Sequence, residues 1–232
     1  MENMVIACVV PYRNREQHWD YFLKHTVPIL HARGIHTIVV EQTQDGKLFN
    51  RGAVINAAVA ELLCECDDFI THDVDINPTT DTVDKLYLPG LRPQFVRGIY
   101  TSHCDTLAPI VKFNVKDFRG IGGFPSTYFG WGAEDRVIQF RATQGGLSIE
   151  KNVIKRTPQV AVHFSKIFDI HERLPPIDLP KRHAEAFGLG SRTSIVQQGI
   201  LERAGSYVTT RYKVISCKHL CEGVTWLTVE LK

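Results

Sequence analysis

Two aspartates one residue apart, Asp73 and Asp75, follow a short apolar stretch at residues 68–72 and precede Asn77-Pro78. Carboxylates at this spacing beside a strand end can both face a hard divalent cation. A cation held there would neutralise the diphosphate of a nucleotide-sugar and stabilise it as a leaving group. Asp-x-Asp also occurs in turns whose acids are merely solvated. The position after a strand favours a metal site but leaves the turn open as an alternative.

A basic turn lies at residues 11–15, where Pro11-Tyr12-Arg13-Asn14-Arg15 follows the first apolar run. Two arginines at a strand-to-helix connection could bind phosphate groups or a base, helped by the amino terminus of the next helix. The alternative is a solvent-exposed basic turn that binds no ligand.

An aromatic and glycine-rich segment at residues 124–135 carries Trp131 between two glycines and ends in Glu134 and Asp135. Flanking glycines allow such a loop to hinge, and aromatic faces are good platforms for sugars. Acids at a helix start are also favourable for local reasons, because they interact with the helix dipole. If Asp135 is buried near an acceptor hydroxyl, it could act as a general base.

Two further groups contain metal-ligating residue types. His163 lies in an apparent strand at residues 160–164, where a lone histidine is usually structural and metal ligation is the alternative. Cys217, His219 and Cys221 could hold zinc, but the chain lacks a paired ligand knuckle of zinc-site spacing, which favours ordinary thiols on or near a strand.

The first third of the chain alternates between strand and helix patterns. The predicted elements are strands at residues 5–10, 35–41 and 68–72 and helices at residues 15–33 and 50–65. Pro28 should kink or end the first helix. This β-α-β-α-β order implies a parallel sheet with right-handed crossovers. Ligands bind beyond the carboxyl ends of the strands in such sheets, so we expect residues 11–15, 41–51 and 73–78 to converge on one crevice.

The rest of the chain has a more mixed pattern. Apolar runs predict strands at residues 95–102, 108–113, 147–149, 207–217 and 224–231 and helices at residues 115–121 and 134–143. We interpret residues 1–232 as one catalytic domain, with a nucleotide-binding half at 1–80 and an acceptor-binding, catalytic half at 81–232.

Bulk composition excludes several classes of protein. The 232 residues are 44% hydrophobic and 22% charged with a net charge of +2, as expected of a globular domain and too weakly basic to indicate nucleic-acid binding. No apolar run approaches the roughly 18 residues of a membrane span, and the amino terminus does not read as a secretory signal.

Five blocks carry a family resemblance when they are taken together and in order. They are VVPYRNRE at 9–16, EQ and DGKLFNR within 41–51, DVDINP at 73–78, GGFP at 122–125 and YFGWGAED at 128–135. With the closing stretches at 212–214 and 225–231, the chain resembles the beta-1,4-galactosyltransferase family and its N-acetylgalactosaminyl- and xylosyl-linked relatives. The likeness covers nearly the whole chain.

The resemblance implies a GT-A type nucleotide-diphospho-sugar transferase fold, an α/β architecture with a Rossmann-like mixed sheet flanked by helices. It also implies inverting transfer that depends on Mn²⁺, or alternatively Mg²⁺, from a UDP-sugar donor to a glycan or glycoconjugate acceptor. UDP-galactose is the family's usual donor. A chain without a membrane span would be soluble, cytoplasmic if it is the full native length, and in the Golgi lumen if it is a catalytic domain lacking its anchor.

The resemblance also assigns roles to individual residues. The implied donor-binding residues are Pro11, Arg13, Arg15, Phe49, Arg51, Asp73, Val74 and Trp131. Phe49 would stack on or flank the uracil. The implied acceptor-binding residues are Trp131, Gly132, Glu134 and Asp135. Asp135 would be the general base, with Glu134 beside it holding the acceptor, and the implied metal ligands are Asp75 and His163.

The chain departs from the family pattern at four places. Val160 and Ala161 stand where the family often has a second Met or His ligand, which leaves weaker metal binding, His171 or water as alternatives. Arg136 stands where the family usually has a third acid. Leu48 is an extra residue beside the uracil loop, and Thr-Leu-Ala-Pro at 106–109 replaces an aromatic-Phe-Gly-Gly stretch that lines the donor sugar. N-acetylgalactosamine, xylose and glucose therefore stay open beside galactose. A catalytically impaired carbohydrate- or UDP-sugar-binding protein and a nucleotidyltransferase are the alternative functions.

Overall fold

The computed structural model describes residues 4–100, 107, 109–130, 134–155, 157 and 210–232. Within these residues eight strands form one mixed sheet. The strands are β1 (Ile6–Tyr12), β2 (His36–Gln42), β3 (Asp68–His72), β4 (Phe95–Ile99), β5 (Ile110–Asn114), β6 (Ser148–Asn152), β7 (Tyr212–Cys221) and β8 (Val224–Leu231). Their order across the sheet is β6-β4-β5-β3-β1-β2-β8-β7.

The helices flank this sheet on both faces. They are α1 (Glu16–His25), α2 (Val27–His31), α3 (Arg51–Leu62), α4 (Thr80–Thr82), which continues into a π-helical turn at Val83–Tyr87, α5 (Val115–Gly120) and α6 (Glu134–Gln144). In the described parts of the chain, none of these helices has both the length and the apolar character that crossing a membrane requires.

The centre of the sheet is parallel, as the β-α-β-α-β pattern predicts. β1 pairs in parallel with β2 and β3, and β8 adds in parallel to the other side of β2. Two strands run the other way: β5 lies antiparallel between β3 and β4, and β7 lies antiparallel beside β8 at the edge. The resulting Rossmann-like mixed sheet confirms the predicted fold class, and strands from both predicted halves of the chain share it.

Alternating side chains of the central strands build two cores. Ala7 and Val9 face the layer that contains α3, α5 and α6, while Ile6, Cys8 and Val10 face the layer that contains α1 and α2. β1 is buried on both faces, which is why it reads as a continuous apolar run rather than an alternating one. The central strands are therefore anchored by a core on each face of the sheet.

Several predicted boundaries differ from the structure for local reasons. The predicted helix at 15–33 is two helices separated at Thr26, because Pro28 occupies the first turn of α2. β4 ends at Ile99 because Tyr100 has a positive φ of 56°, which leaves the extended region. The α4 segment was not predicted, and Tyr100 helps to hold it by donating a 3.0 Å hydrogen bond to Thr82.

His72 ends β3 and is fully buried beside the crevice edge. Its Nδ1 lies 2.9 Å from the carbonyl oxygen of Asp73, so this nitrogen carries the proton, and its Nε2 accepts from the Tyr87 hydroxyl at 3.0 Å. Both ring nitrogens are thus satisfied in the neutral form. Burial lowers the pKa of His72 from 6.5 to about 4.

This burial predicts a pH dependence of stability. Because the folded pKa lies below the unfolded one, the unfolded chain binds the proton more readily, and stability is lost as pH falls from 6.5 towards 4. We expect the contribution of His72 to the free energy of unfolding to fall by about 2 kcal/mol between pH 7 and pH 5. Urea denaturation at both pH values should show that the free energy of unfolding differs less between pH 7 and pH 5 in His72→Gln than in the wild type. The exposed His25→Gln is the control and should retain the wild-type difference.

Candidate active site

The turn after β1 sends its two arginines in different directions. Asn14, between them, has a positive φ of 50°. Arg13 donates to the carbonyl oxygen of Lys47 at 2.7 Å and lies 3.5 Å from Asp45, in the loop after β2. Arg15 lies 3.8 Å from the Oδ2 of Asp75, in the loop after β3. The basic turn therefore contacts both of the other loops that follow parallel strands.

The loop after β2 is organised by the buried side chain of Gln42. Its Nε2 donates to both carboxylate oxygens of Asp45, at 3.2 and 3.1 Å, and to the carbonyl oxygen of Leu48 at 3.1 Å. Its Oε1 accepts from the backbone of Asn50 at 2.8 Å, directly before α3 begins. These bonds fold the loop so that Phe49 packs partly against the core.

Arg51, the first residue of α3, joins the acids of two distant segments. Its Nε donates to Asp73 Oδ1 at 3.0 Å, and its Nη1 donates to Asp135 Oδ1 at 3.3 Å. Nη2 also lies 3.0 Å from Asp73 Oδ1, but the geometry of this contact is not that of a hydrogen bond. The guanidinium also sits 5.5 Å from the ring centroid of Phe124.

The electrostatics of Arg51 follow from this position. Its side chain is 13% exposed, and burial alone would lower its pKa. Attraction to Asp73, Asp135 and Glu134 outweighs burial and raises the pKa above its ordinary value. Arg51 therefore stays charged, and Asp73 and Asp135 are held close together because both contact the same guanidinium group.

The structure thus brings most of the predicted site residues to one edge of the sheet. Asp73, Asp75 and Asp135 meet around Arg15 and Arg51, and Glu134 is buried at the start of α6. Pro11 and Val74 are buried at the ends of β1 and β3. Trp131, Gly132 and His163 lie outside the described residues. The roles of all these residues stay predictions.

The described residues also bear on metal binding. Asp75, predicted to be a metal ligand, has 34% of its side chain exposed at the sheet edge, and its carboxylate offers hard oxygen atoms of the type that Mn²⁺ and Mg²⁺ accept. Among the described residues, no group of three or more His, Cys, Asp and Glu side chains is arranged to hold a metal. The zinc alternative therefore gains no support, and His219 Nδ1 instead lies 3.1 Å from the Thr225 hydroxyl.

Comparison with known families decides the classification. The family described as "N-terminal region of glycosyl transferase group 7" matches residues 1–88, and "N-terminal domain of galactosyltransferase" matches residues 100–164. The chain belongs to the beta-1,4-galactosyltransferase family.

Individual relatives agree with this assignment. Beta-1,4-galactosyltransferase 4 of Rattus norvegicus is 26% identical over 224 residues, covering 92% of this chain and 60% of the relative. The Homo sapiens enzyme of the same name is 31% identical over 155 residues, covering 63% of this chain and 44% of that one. The chain thus spans 60% or less of the length of these two curated galactosyltransferases.

Solved structures support the fold. The catalytic domain of Drosophila beta-1,4-galactosyltransferase 7, in complex with xylobiose, aligns with a TM-score of 0.73 at 21% identity, covering 99% of this chain and 94% of that one. A mannosyltransferase from Pyrobaculum calidifontis aligns with a TM-score of 0.54 at 15% identity over 87% of this chain and 73% of that one. The GT-A fold predicted for this galactosyltransferase-family chain is confirmed.

The residues that hold the turn at 122–126 were missed by sequence reasoning. Asn56, buried on α3, accepts from the backbone of Phe124 at 3.0 Å and donates to its carbonyl at 2.8 Å. The buried Arg141 of α6 donates to the carbonyls of Gly122 and Gly123 at 3.0 and 2.7 Å. A polar residue inside an otherwise apolar helix was the available signal for Asn56, because buried amides need partners.

Close backbone approach at Gly52 generates a stability prediction for this galactosyltransferase-family site. A Cβ there would lie 2.6 Å from the carbonyl oxygen of Pro125 and 2.9 Å from Phe124 Cβ. We expect Gly52→Ala to lower the free energy of unfolding by about 1–3 kcal/mol, because backbone has to move. Gly120→Ala is the matched control, since a Cβ there meets nothing within 4 Å. Equal denaturation midpoints for the two variants would contradict the close approach.

Proposed function

We propose that this chain is a metal-dependent, inverting glycosyltransferase that moves a hexose, galactose foremost, from a UDP-sugar to a hydroxyl of a glycan or glycoconjugate. The observation that carries the proposal is the shared guanidinium of Arg51, which holds Asp73 of the acidic pair beside Asp135 of the acceptor segment. A transferase needs donor-binding and proton-accepting groups around the same bond, and this contact supplies that proximity.

Family membership and structural neighbours support the choice of substrates. A mutant of the Drosophila beta-1,4-galactosyltransferase 7 is in complex with manganese, UDP-Gal and xylobiose, and it aligns with a TM-score of 0.72 at 20% identity over 99% of this chain and 94% of that one. We extend these three ligand classes to this chain as a UDP-sugar donor, Mn²⁺ and a glycan acceptor. Mg²⁺ is the alternative cation, because the same hard oxygen ligands accept it.

The donor would lie along the carboxyl ends of β1, β2 and β3. Arg13 and Arg15 at the end of β1 provide guanidinium groups for the diphosphate, and Phe49 provides an apolar side chain for the uracil. Asp75 and, by the family resemblance, His163 would hold the cation. When bound, the cation neutralises the diphosphate and makes it a better leaving group.

Asp135 is the proposed general base. Arg51 Nη1 donates to Asp135 Oδ1 at 3.3 Å and so holds this carboxylate beside Asp73. The acceptor oxygen forms a bond to the anomeric carbon as the bond to the diphosphate oxygen breaks, UDP leaves with the electron pair, and Asp135 takes the hydroxyl proton. One displacement from the face opposite UDP inverts the anomeric configuration. Glu134, buried at the same helix start, would hold the acceptor sugar.

This role predicts a separation of binding from turnover. Asp135→Asn should retain UDP binding and lose roughly 10²–10⁴-fold in kcat, because the amide cannot take the proton. UDP titration and initial-rate measurements on the same preparation check the prediction. Asp81→Asn, which changes an exposed acid paired with Lys85, should leave both quantities unchanged. Wild-type turnover by Asp135→Asn would exclude the general-base role.

A donor panel tests substrate and metal together. In the presence of Mn²⁺ and without acceptor, we expect slow hydrolysis of UDP-galactose to exceed that of UDP-N-acetylgalactosamine, UDP-xylose and UDP-glucose. Chelation of the metal should abolish hydrolysis and weaken UDP binding. Metal-linked UDP binding without hydrolysis of any donor would favour the catalytically impaired binding protein. A UDP affinity that is the same with and without Mn²⁺ would argue against a metal-dependent enzyme.

A further inference from the structure

The two arginines of the basic turn have unequal surroundings. Arg13 is engaged with the loop after β2, through Lys47 at 2.7 Å and Asp45 at 3.5 Å. Arg15 faces Asp75, with 3.8 Å between its Nη1 and the carboxylate Oδ2. Arg15 is therefore the arginine that approaches the proposed metal ligand, whereas Arg13 on the same turn contacts the loop after β2.

A guanidinium and a divalent cation compete for the same carboxylate. Asp75 is the described candidate ligand, and a cation bound to it would be repelled by the charge of Arg15 at the present distance. Arg15 therefore has to move away, or its charge has to be neutralised, before the cation binds with full affinity. A bound diphosphate provides the neutralising partner, because arginine forms strong charge-assisted hydrogen bonds with phosphate oxygens.

We propose that Arg15 is a positioning residue that couples metal binding to donor binding. Without nucleotide it pairs with Asp75 and opposes the cation, and with UDP bound it turns to the diphosphate and releases the carboxylate. This inference rests on the proposed function, from which the UDP donor and the cation are taken.

The local structure allows this exchange. Arg15 is the residue before α1, and its side chain makes no capping hydrogen bond. Arg15 contributes to α1 only through its backbone: its carbonyl oxygen accepts a hydrogen bond from Trp19 N at 2.8 Å. The side chains of Arg15 and Asp75 are 19% and 34% exposed, and ion pairs of this partly exposed kind are weak and easily exchanged. The side chain can therefore change partner without unwinding α1.

Coupling of this kind has a required signature. If UDP tightens Mn²⁺ binding by some factor, Mn²⁺ tightens UDP binding by the same factor. Removing Arg15 removes the competitor from the nucleotide-free state but not from the UDP-bound state, where it has already left Asp75. The coupling factor should then shrink by the amount that the nucleotide-free Mn²⁺ affinity rises.

The experiment compares Mn²⁺ affinity in wild type, Arg15→Gln and Arg13→Gln. Free Mn²⁺ is followed by electron paramagnetic resonance during titration, with and without saturating UDP. For Arg15→Gln we expect Mn²⁺ binding without UDP to tighten about two- to fivefold, the size of one partly exposed ion pair, and the coupling factor to fall equally. Arg13→Gln removes the same charge from the same turn and should leave Mn²⁺ affinity without UDP at the wild-type value.

The outcomes separate this inference from the proposed function. A folding defect can only weaken Mn²⁺ binding, so a gain of affinity in Arg15→Gln alone supports the coupling role. Unchanged or weaker Mn²⁺ binding by Arg15→Gln, with wild type showing metal-linked UDP binding, overturns the role of Arg15 and leaves the proposed function standing. Equal gains in both variants overturn it as well, since they indicate a general charge effect. Wild type that binds no Mn²⁺ overturns the metal-dependent function and the coupling together.

Discussion

The mostly buried guanidinium of Arg51 makes the contacts on which the arrangement of the site depends. It lies where β3 ends, α3 begins and α6 begins, and it joins Asp73 to Asp135 across 62 positions of sequence. A charge at this depth is tolerated because it is paired on two sides, and removing either partner would leave part of it uncompensated. The acidic pair and the acceptor segment are thus held together by an interaction whose loss would destabilise the fold.

Neutral polar contacts extend this constraint towards the acceptor segment. Asn50 caps α3 by accepting from Ala53 N at 2.9 Å, and its amide donates to the carbonyl of Ser126 at 2.7 Å. Asn56, one and a half turns later, binds both backbone groups of Phe124. The amide of Gly130 then donates to the carbonyl of Phe49 at 2.6 Å. The helix that positions Arg51 therefore also positions the chain leading to Asp135.

Sequence reasoning predicted the parts of this arrangement that follow from periodicity and topology. Buried parallel strands read as apolar runs, and the carboxyl-edge rule then placed residues 11–15, 41–51 and 73–78 together. Periodicity reports which face of an element is buried but not which side chain meets which, so the bridge from Arg51 to Asp135 was not foreseen. The helical segment after Thr79 was missed because it is short and its first turn is polar, although Tyr100 holds that turn and Val83 and Tyr87 are buried in the core.

The charge balance of the crevice explains why a cation belongs in the proposed function. In the described part of the site, Asp73, Asp75, Asp135 and Glu134 surround Arg15 and Arg51, while Arg13 is engaged with Asp45. A diphosphate entering this crevice would add negative charge where acids already outnumber the arginines that face them. Guanidinium groups can exchange one anionic partner for another, but an exchange adds no positive charge. A divalent cation does add it, and it converts the acids from a source of repulsion into ligands.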